Sequence, residues 1–185
     1  MKVKFRFSGR GGQGIKFLGS ALVRVAMVAK YHATLSVDYT PSVRGGPIFC
    51  DVVLSTEPIS YPYCDRDADY FVAIDQKGFE RATECTSDTT ICFIDSDSID
   101  DTAEKIIKAP IHRVPITRRA DETKMTGSVN ILSLGFLSEH LKNEEIKLTE
   151  DQYIQVFNNM RNSENNIRTF QIGKDLYNEV FENAA

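Results

Sequence analysis

Hydrophobic and polar positions alternate strictly at the start of the chain. Val3, Phe5 and Phe7 are interleaved with Lys4 and Arg6, the period-two signature of a strand. A glycine-rich stretch, GRGGQG at 9–14, interrupts the alternation. From about Gly14 to Lys30 the period changes. Ile15, Leu18, Leu22, Val25, Ala26 and Ala29 recur at helical spacing and predict one amphipathic helix. ATLSVD at 33–38 reads as a second strand, TPSVRGGP as a loop, and IFCDVVLS as a third strand ended by Glu57 and Pro58. DYFVAID (69–75) and TTICFID (89–95) are short apolar runs that each end in aspartate, the pattern of strands buried on both faces. GFERATEC and SIDDTAEKIIK are expected to be the crossover helices after them, and HRVPIT the last strand.

Beyond this strand the pattern is helical. TGSVNILSLGFLSEHLK places Val129, Leu132, Phe136 and Leu137 on one face. Thr149 with Gln152 three residues on forms a capping box for a helix carrying Ile154, Val156, Phe157 and Met160. NSENN (162–166) reads as a turn, and 166–181 as the last helix. Strand–loop–helix units followed by helices predict an α/β fold. The expected form is a mostly parallel, Rossmann-like sheet with helices on both faces and a helical C-terminal region. No repeat or linker divides the chain. It reads as one domain over 1–185, with a core over 1–120 and helices over 121–185 packed on it.

Composition narrows the partners. The 185 residues are 42% hydrophobic and 26% charged, enough apolar mass for a full core. The formal net charge of -4 argues against a nucleic-acid binder, which carries a basic face. No apolar run is long enough to span a bilayer, and the N-terminus enters a strand without a signal segment. These readings predict a cytoplasmic protein away from membranes. The four cysteines, Cys50, Cys64, Cys85 and Cys92, have neither the paired spacing of zinc or iron–sulfur ligands nor the setting of a disulfide framework. Cys50 and Cys92 read as core residues.

The chemistry concentrates in the glycines. Gly9, Gly11 and Gly14 spell G-x-G-x-x-G between a strand and a helix. Unsatisfied N–H groups and the positive end of the helix dipole face such a loop, so Gly9, Gly11, Gly12, Gln13 and Gly14 form a candidate phosphate or pyrophosphate cradle. A ligand-free tight turn is the other reading. An NAD-binding oxidoreductase would want an acid at the end of the second strand, where Asp38 stands. No residue downstream offers an obvious hydride-transfer partner, and His32, His112 and His140 occupy positions typical of structural histidines. A second glycine loop holds Arg44, Gly45 and Gly46, an arginine suited to an anion or carboxylate contact beside two residues without side chains. Read alone, that loop is equally an ordinary turn.

Taken together, GRGGQG, SVRGGP, EPISYP, ADYFVAID, NILSLG and NIRTFQIG occur in an order that resembles the gamma subunit of the 2-oxoacid:ferredoxin oxidoreductases. The resemblance covers roughly residues 3 to 178, and the RGG loop with ISYP is most similar to the 2-oxoglutarate branch. It implies a complex that oxidatively decarboxylates a 2-oxoacid on thiamine diphosphate, sends electrons through iron–sulfur clusters to ferredoxin or a similar acceptor, and forms acyl-CoA. It implies that thiamine diphosphate and the clusters sit on the alpha, beta and ferredoxin-type delta subunits, and that this chain is inactive alone. For this chain it leaves CoA pyrophosphate at the first glycine loop, or packing of that loop against the alpha subunit. Asn130 in NILSLG is a candidate partner of the loop. Asp75 and Asp95 end strands on the ligand side or begin turns. His112, Arg113, Arg118 and Arg119 form either a receiver for the CoA nucleotide phosphate or a solvated basic patch.

Overall fold

The computed structural model describes residues 1–39 and 45–181. Six strands form one sheet: β1 (Lys2–Arg10), β2 (His32–Tyr39), β3 (Pro47–Ser55), β4 (Tyr70–Ala73), β5 (Ile91–Asp95) and β6 (Ile111–Val114). Their order is β2-β3-β1-β4-β5-β6. β1, β4, β5 and β6 pair in parallel, and β3 runs antiparallel to both β1 and β2. The sheet is mixed, as its connections require. Parallel neighbours need a crossover of a dozen or more residues, and the link from Tyr39 to Pro47 is too short for one.

The alternation of β1 sorts its side chains between two cores. Phe5 and Phe7 lie beneath α1 (Ile15–Val28), together with Cys50, Val52 and Leu54 of β3. Gly19 lets α1 lie flat on this face, because a Cβ there would stand 2.3 Å from the Cys50 sulfur. On the same face α5 (Val129–His140), α6 (Glu150–Asn158) and α7 (Ser163–Phe181) complete the main core. The Thr149–Gln152 capping box opens α6, with the Gln152 side chain accepting from the Thr149 N–H at 2.8 Å. α7 begins at Ser163, inside the stretch read from sequence as a turn.

The opposite face carries a thinner layer. Both segments expected to be crossover helices shrink to single turns: α2 (Gln76–Phe79) with a 3-10 turn at Ala82–Glu84, and α3 (Ala103–Ile106). Gly78 holds α2 against β1, where a Cβ would meet the Gly9 nitrogen at 2.9 Å. The segment HRVPIT is also corrected. Its strand ends at Val114, and Ile116–Glu122 forms α4, with Ile116 and Ala120 buried one turn apart. This helix runs across the 120/121 boundary between core and C-terminal helices.

Also on this face, Arg6 reaches Asp51 through two hydrogen bonds of 2.6 and 2.7 Å. Burial alone would lower the Arg6 pKa, but the Asp51 carboxylate outweighs it and raises the pKa. The pair straps down the chain after β3. Arg6 donates to the Cys64 carbonyl at 3.1 Å, and the Cys64 N–H donates to Asp51 at 3.0 Å.

Candidate functional site

The connections leaving β1 and β4 run to opposite faces of the sheet, so a crevice opens where these adjacent strands end. That is the place where open α/β sheets bind ligands. GRGGQG lies in it. Gln13 closes the loop on itself: its Oε1 accepts from the Arg10 N–H at 2.7 Å, and its Nε2 donates to the Ile74 carbonyl beyond β4 at 3.4 Å. Gly9 has no room for a side chain, since a Cβ would press on Ile15 and Gln13 at 2.7 and 2.8 Å. Asn130, on the first turn of α5, donates to the Gly14 carbonyl at 3.2 Å. A Cβ at Gly14 would collide with that amide at 2.4 Å. Gln13, through both its amide atoms, and Asn130, through its Nδ2, therefore bond to backbone and set the loop.

The two glycine loops, distant in sequence, meet. The Gly11 N–H donates to the Gly46 carbonyl at 3.0 Å, and a Cβ at Gly11 would touch the Gly45 backbone at 3.5 Å. Arg44 lies outside the described residues, so the RGG loop is seen here through Gly45 and Gly46. Gly12 and Gly45 have positive φ (98° and 74°), and a Cβ at either would meet nothing within 4 Å. These two glycines are the ones that open onto free space. Gly14, itself left-handed, starts α1 without a side-chain cap, which leaves the first-turn N–H groups facing outward.

Beside this turn lies a groove of about 730 Å³ between α1 and the end of α6. Phe17, Ile48 and Met160 line it, with Lys16, Arg24 and Arg161 as its cations. Sequence reasoning missed this trio. Lys16 and Arg24 read as the solvent side of an amphipathic helix, and Arg161 joins them only because α1 packs on α6.

Other candidates resolve into structural roles. Asp75 caps α2 by accepting from the Lys77 N–H at 3.1 Å, and lies 3.6 Å from Arg10. Asp95 is fully buried and accepts from Ser98 Oγ (2.6 Å) and the Thr117 N–H (3.1 Å), joining the turn after β5 to α4. The arginines of the patch at 112–119 are already engaged within the chain. Arg113 donates to the Ile99 and Asp100 carbonyls, Arg118 pairs with Asp97 at 2.7 Å, and Arg119 pairs with Glu179. His112 stacks on Phe93, and His140 is wedged edge-on against Phe93 and Tyr70. Burial pushes the pKa of both histidines down, so each stays neutral at physiological pH. Burial also pushes the thiols of Cys50, Cys85 and Cys92 up to about 12.

Asp38 does not complete a dinucleotide site. β3 separates β2 from β1, and the Asp38 carboxylate lies 3.5 Å from Arg81, which stacks over Phe49 at 4.4 Å. The arrangement expected of an NAD enzyme, with the second strand beside the first, is absent.

Comparison with known proteins agrees with this geometry. The 2-oxoglutarate synthase subunit KorC of Methanocaldococcus jannaschii is 30% identical over 140 residues, 75% of this chain and 74% of that one. Ketoisovalerate oxidoreductase subunit VorA of Methanothermobacter thermautotrophicus is 32% identical over 153 residues, 80% of this chain but 32% of the longer relative. The keto/oxoacid ferredoxin oxidoreductase gamma subunit of Geobacter sulfurreducens superposes with a TM-score of 0.78 at 20% identity, covering 97% of this chain and 98% of that one. The 2-oxoglutarate:ferredoxin oxidoreductase of Magnetococcus marinus, solved with 2-oxoglutarate, coenzyme A and succinyl-CoA bound, superposes with a TM-score of 0.81 at 21% identity, over 96% of this chain and 31% of that one. The sequence profile of the pyruvate ferredoxin/flavodoxin oxidoreductase family matches residues 4–176. A match over nearly the whole length has one meaning: the chain belongs to that family, with relatives that are subunits of 2-oxoacid oxidoreductases.

Proposed function

We propose that this gamma subunit serves a complex that converts 2-oxoglutarate to its acyl-CoA, and that its first glycine loop takes the pyrophosphate of CoA. The observation that carries the CoA reading is the uncapped first turn of α1 beside Gly12, whose missing side chain leaves open space. Lys16 stands on that same turn. The 2-oxoglutarate assignment is supported by the KorC relative, and the CoA reading by the ligands of the Magnetococcus enzyme.

The chain's own donors do not suit the redox cofactors of such a complex. Among the described residues no cluster of His, Cys, Asp or Glu is arranged to hold a metal ion. Thiamine diphosphate and the iron–sulfur clusters accordingly belong, in this reading, to the alpha, beta and delta subunits, with ferredoxin as acceptor. The gamma chain contributes CoA binding and assembly in the cytoplasm and has no activity alone. None of its described helices is long and apolar enough to cross a membrane.

Calorimetry on the assembled complex tests the CoA reading. Gly12→Asn introduces a side chain at the loop while using the residue type that best tolerates positive φ. It should weaken CoA binding by about tenfold or more, a change of at least ~1.4 kcal/mol. It should leave the melting temperature nearly unchanged. Wild-type CoA affinity in a well-folded Gly12→Asn complex would refute the assignment.

A further inference from the structure

The groove beside α1 extends past the glycine loop. A second depression of about 290 Å³, lined by Met27, Val28, Gln155 and Val156, shares Arg24 and Asn159 with the first. Together they run along the seam between α1 and α6. Met27 is 60% exposed and Phe17 38%, among the few large apolar side chains so open to solvent. Phe17 and Arg24 are seven residues apart, two helical turns along one face, and Ser20 and Met27 flank that line. Met27 lies ten positions after Phe17, so the seam is about 15 Å long at the helical rise.

The charge of this seam is opposite to that of the chain. The protein carries 26 acidic against 22 basic residues. Yet Lys16, Arg24 and Arg161 border the seam and no aspartate or glutamate lines it. Several arginines elsewhere are matched to carboxylates, as in Arg6–Asp51, Arg118–Asp97 and Arg119–Glu179, while Arg66 and Arg168 are in no ion pair among the described residues. Lys16, Arg24 and Arg161 are in no such ion pair among the described residues. An apolar trough edged by unmatched cations is complementary to an amphipathic segment with acidic flanks.

We infer that the α1–α6 seam is the docking site for an amphipathic, acidic helix of a neighbouring subunit, its apolar side chains seated between Phe17 and Met27 and its carboxylates on Arg24 and Arg161. The long relatives favour a protein occupant. In VorA and in the Magnetococcus enzyme the matching region is only 32% and 31% of the chain, so this fold exists there joined to further polypeptide. The inference rests on the chain's being one subunit of a complex and not on the CoA reading. The Gly12→Asn experiment leaves the three cations in place, so the two can fail separately.

The test uses the full-length chain co-expressed with the other subunits of its complex. A photoreactive benzoylphenylalanine replaces Met27. Irradiation should give an adduct with a neighbouring subunit, and mass spectrometry should place the adduct in an acidic amphipathic stretch. In parallel, the double variant Arg24→Glu/Arg161→Glu, changed only at exposed positions, should keep its melting temperature and lower recovery of the complex at least about tenfold. An adduct with a second copy of this chain, or no adduct in an assembled complex, overturns the inference. So does normal assembly of the charge-reversed variant. If that variant assembles normally but loses affinity for CoA, the cations belong to the nucleotide. Should it fold poorly, the adduct alone decides.

Discussion

Alanine at Gly135 should be among the most damaging single-methyl changes in this protein. α5 and α7 touch through their backbones at Gly135 and Gly173. A Cβ on Gly135 would lie 2.1 Å from the Phe170 carbonyl oxygen, and one on Gly173 would lie 2.1 Å from the Leu132 carbonyl oxygen. Carbon and carbonyl oxygen approach comfortably only to about 3.3 Å, so the helices must part by roughly 1.2 Å. The obstructing atoms are helix backbone and cannot rotate aside. Parting of that size forfeits about half or more of the dispersion energy along the contact. The contact includes Leu132, Phe136, Phe170 and Leu176, all essentially buried. Overpacking of this kind costs about 1–3 kcal/mol and sometimes more. Alanine's better helix propensity returns at most about 1 kcal/mol.

A net loss of about 2 kcal/mol is expected, which for a chain of this size is roughly 4–8 °C in melting temperature. Urea denaturation followed by circular dichroism measures it. Gly127→Ala is the control, since a Cβ there meets nothing within 4 Å. It should fall within about 0.5 kcal/mol of wild type. The double variant Gly135→Ala/Gly173→Ala should cost less than the sum of its parts, because separated helices accept the second methyl more readily. A Gly135→Ala protein within about 1 kcal/mol of wild type would refute the backbone-contact argument.

Four shorter predictions follow from the same structure. Asp51→Ala strands the buried Arg6 guanidinium and should cost about 3–5 kcal/mol, while Arg6→Met/Asp51→Leu should recover only part of that loss because the Cys64 N–H and carbonyl lose their partners, as read in urea titrations. All four cysteines are buried, with thiol pKa values raised by desolvation, so a disulfide-exchange reagent at pH 8 should label the native chain slowly and the urea-unfolded chain fully. His140 faces Glu144 at 4.0 Å, Tyr177 and His112, and burial sets its folded pKa below the ordinary value. The unfolded chain therefore takes the proton first and stability falls as pH drops below about 6.5, a slope that should be shallower in His140→Leu. The purified chain alone should be colourless and show no 2-oxoacid-dependent dye reduction, and a brown, iron-containing preparation would overturn that expectation.

Much of the fold was legible because each core-forming segment obeys a single period. Phe5 and Phe7 alternate, the α1 residues recur at helical spacing, and Thr149 with Gln152 marks the start of α6. The direction of β3 was not read from the residues; it lies in the length of the connection, since a seven-residue link after Tyr39 forces an antiparallel return. α4 was hidden behind Pro115, with only Ile116 and Ala120 to signal its buried face. The crossover helices were overdrawn because their residues have helical propensity, while Gly78 binds the chain too closely to β1 for a longer helix. Of the site, the loop at 9–14 was visible and the cations beside it were not. Arg24 and Arg161 have no sequence relation until α1 lies on α6.

The glycine motifs are one composition answering several physical demands, and sorting them narrows the site. Gly19, Gly78, Gly135 and Gly173 are glycine because backbone, or a core sulfur, lies where a Cβ would go, so each is a packing device. Gly9 and Gly14 are filled by Gln13, Ile15 and Asn130, which shape the loop from within. Gly12 and Gly45 alone combine positive φ with empty space on the described side of the crevice. Among the described crevice residues, Gly12 and Gly45 are therefore where a ligand or an approaching backbone would find room. The G-x-G-x-x-G string spans Gly9, Gly11 and Gly14 and passes over Gly12, so the fingerprint and the opening are different residues. That difference is why Gly12→Asn, rather than a change at a fingerprint glycine, separates loss of a ligand from loss of the loop.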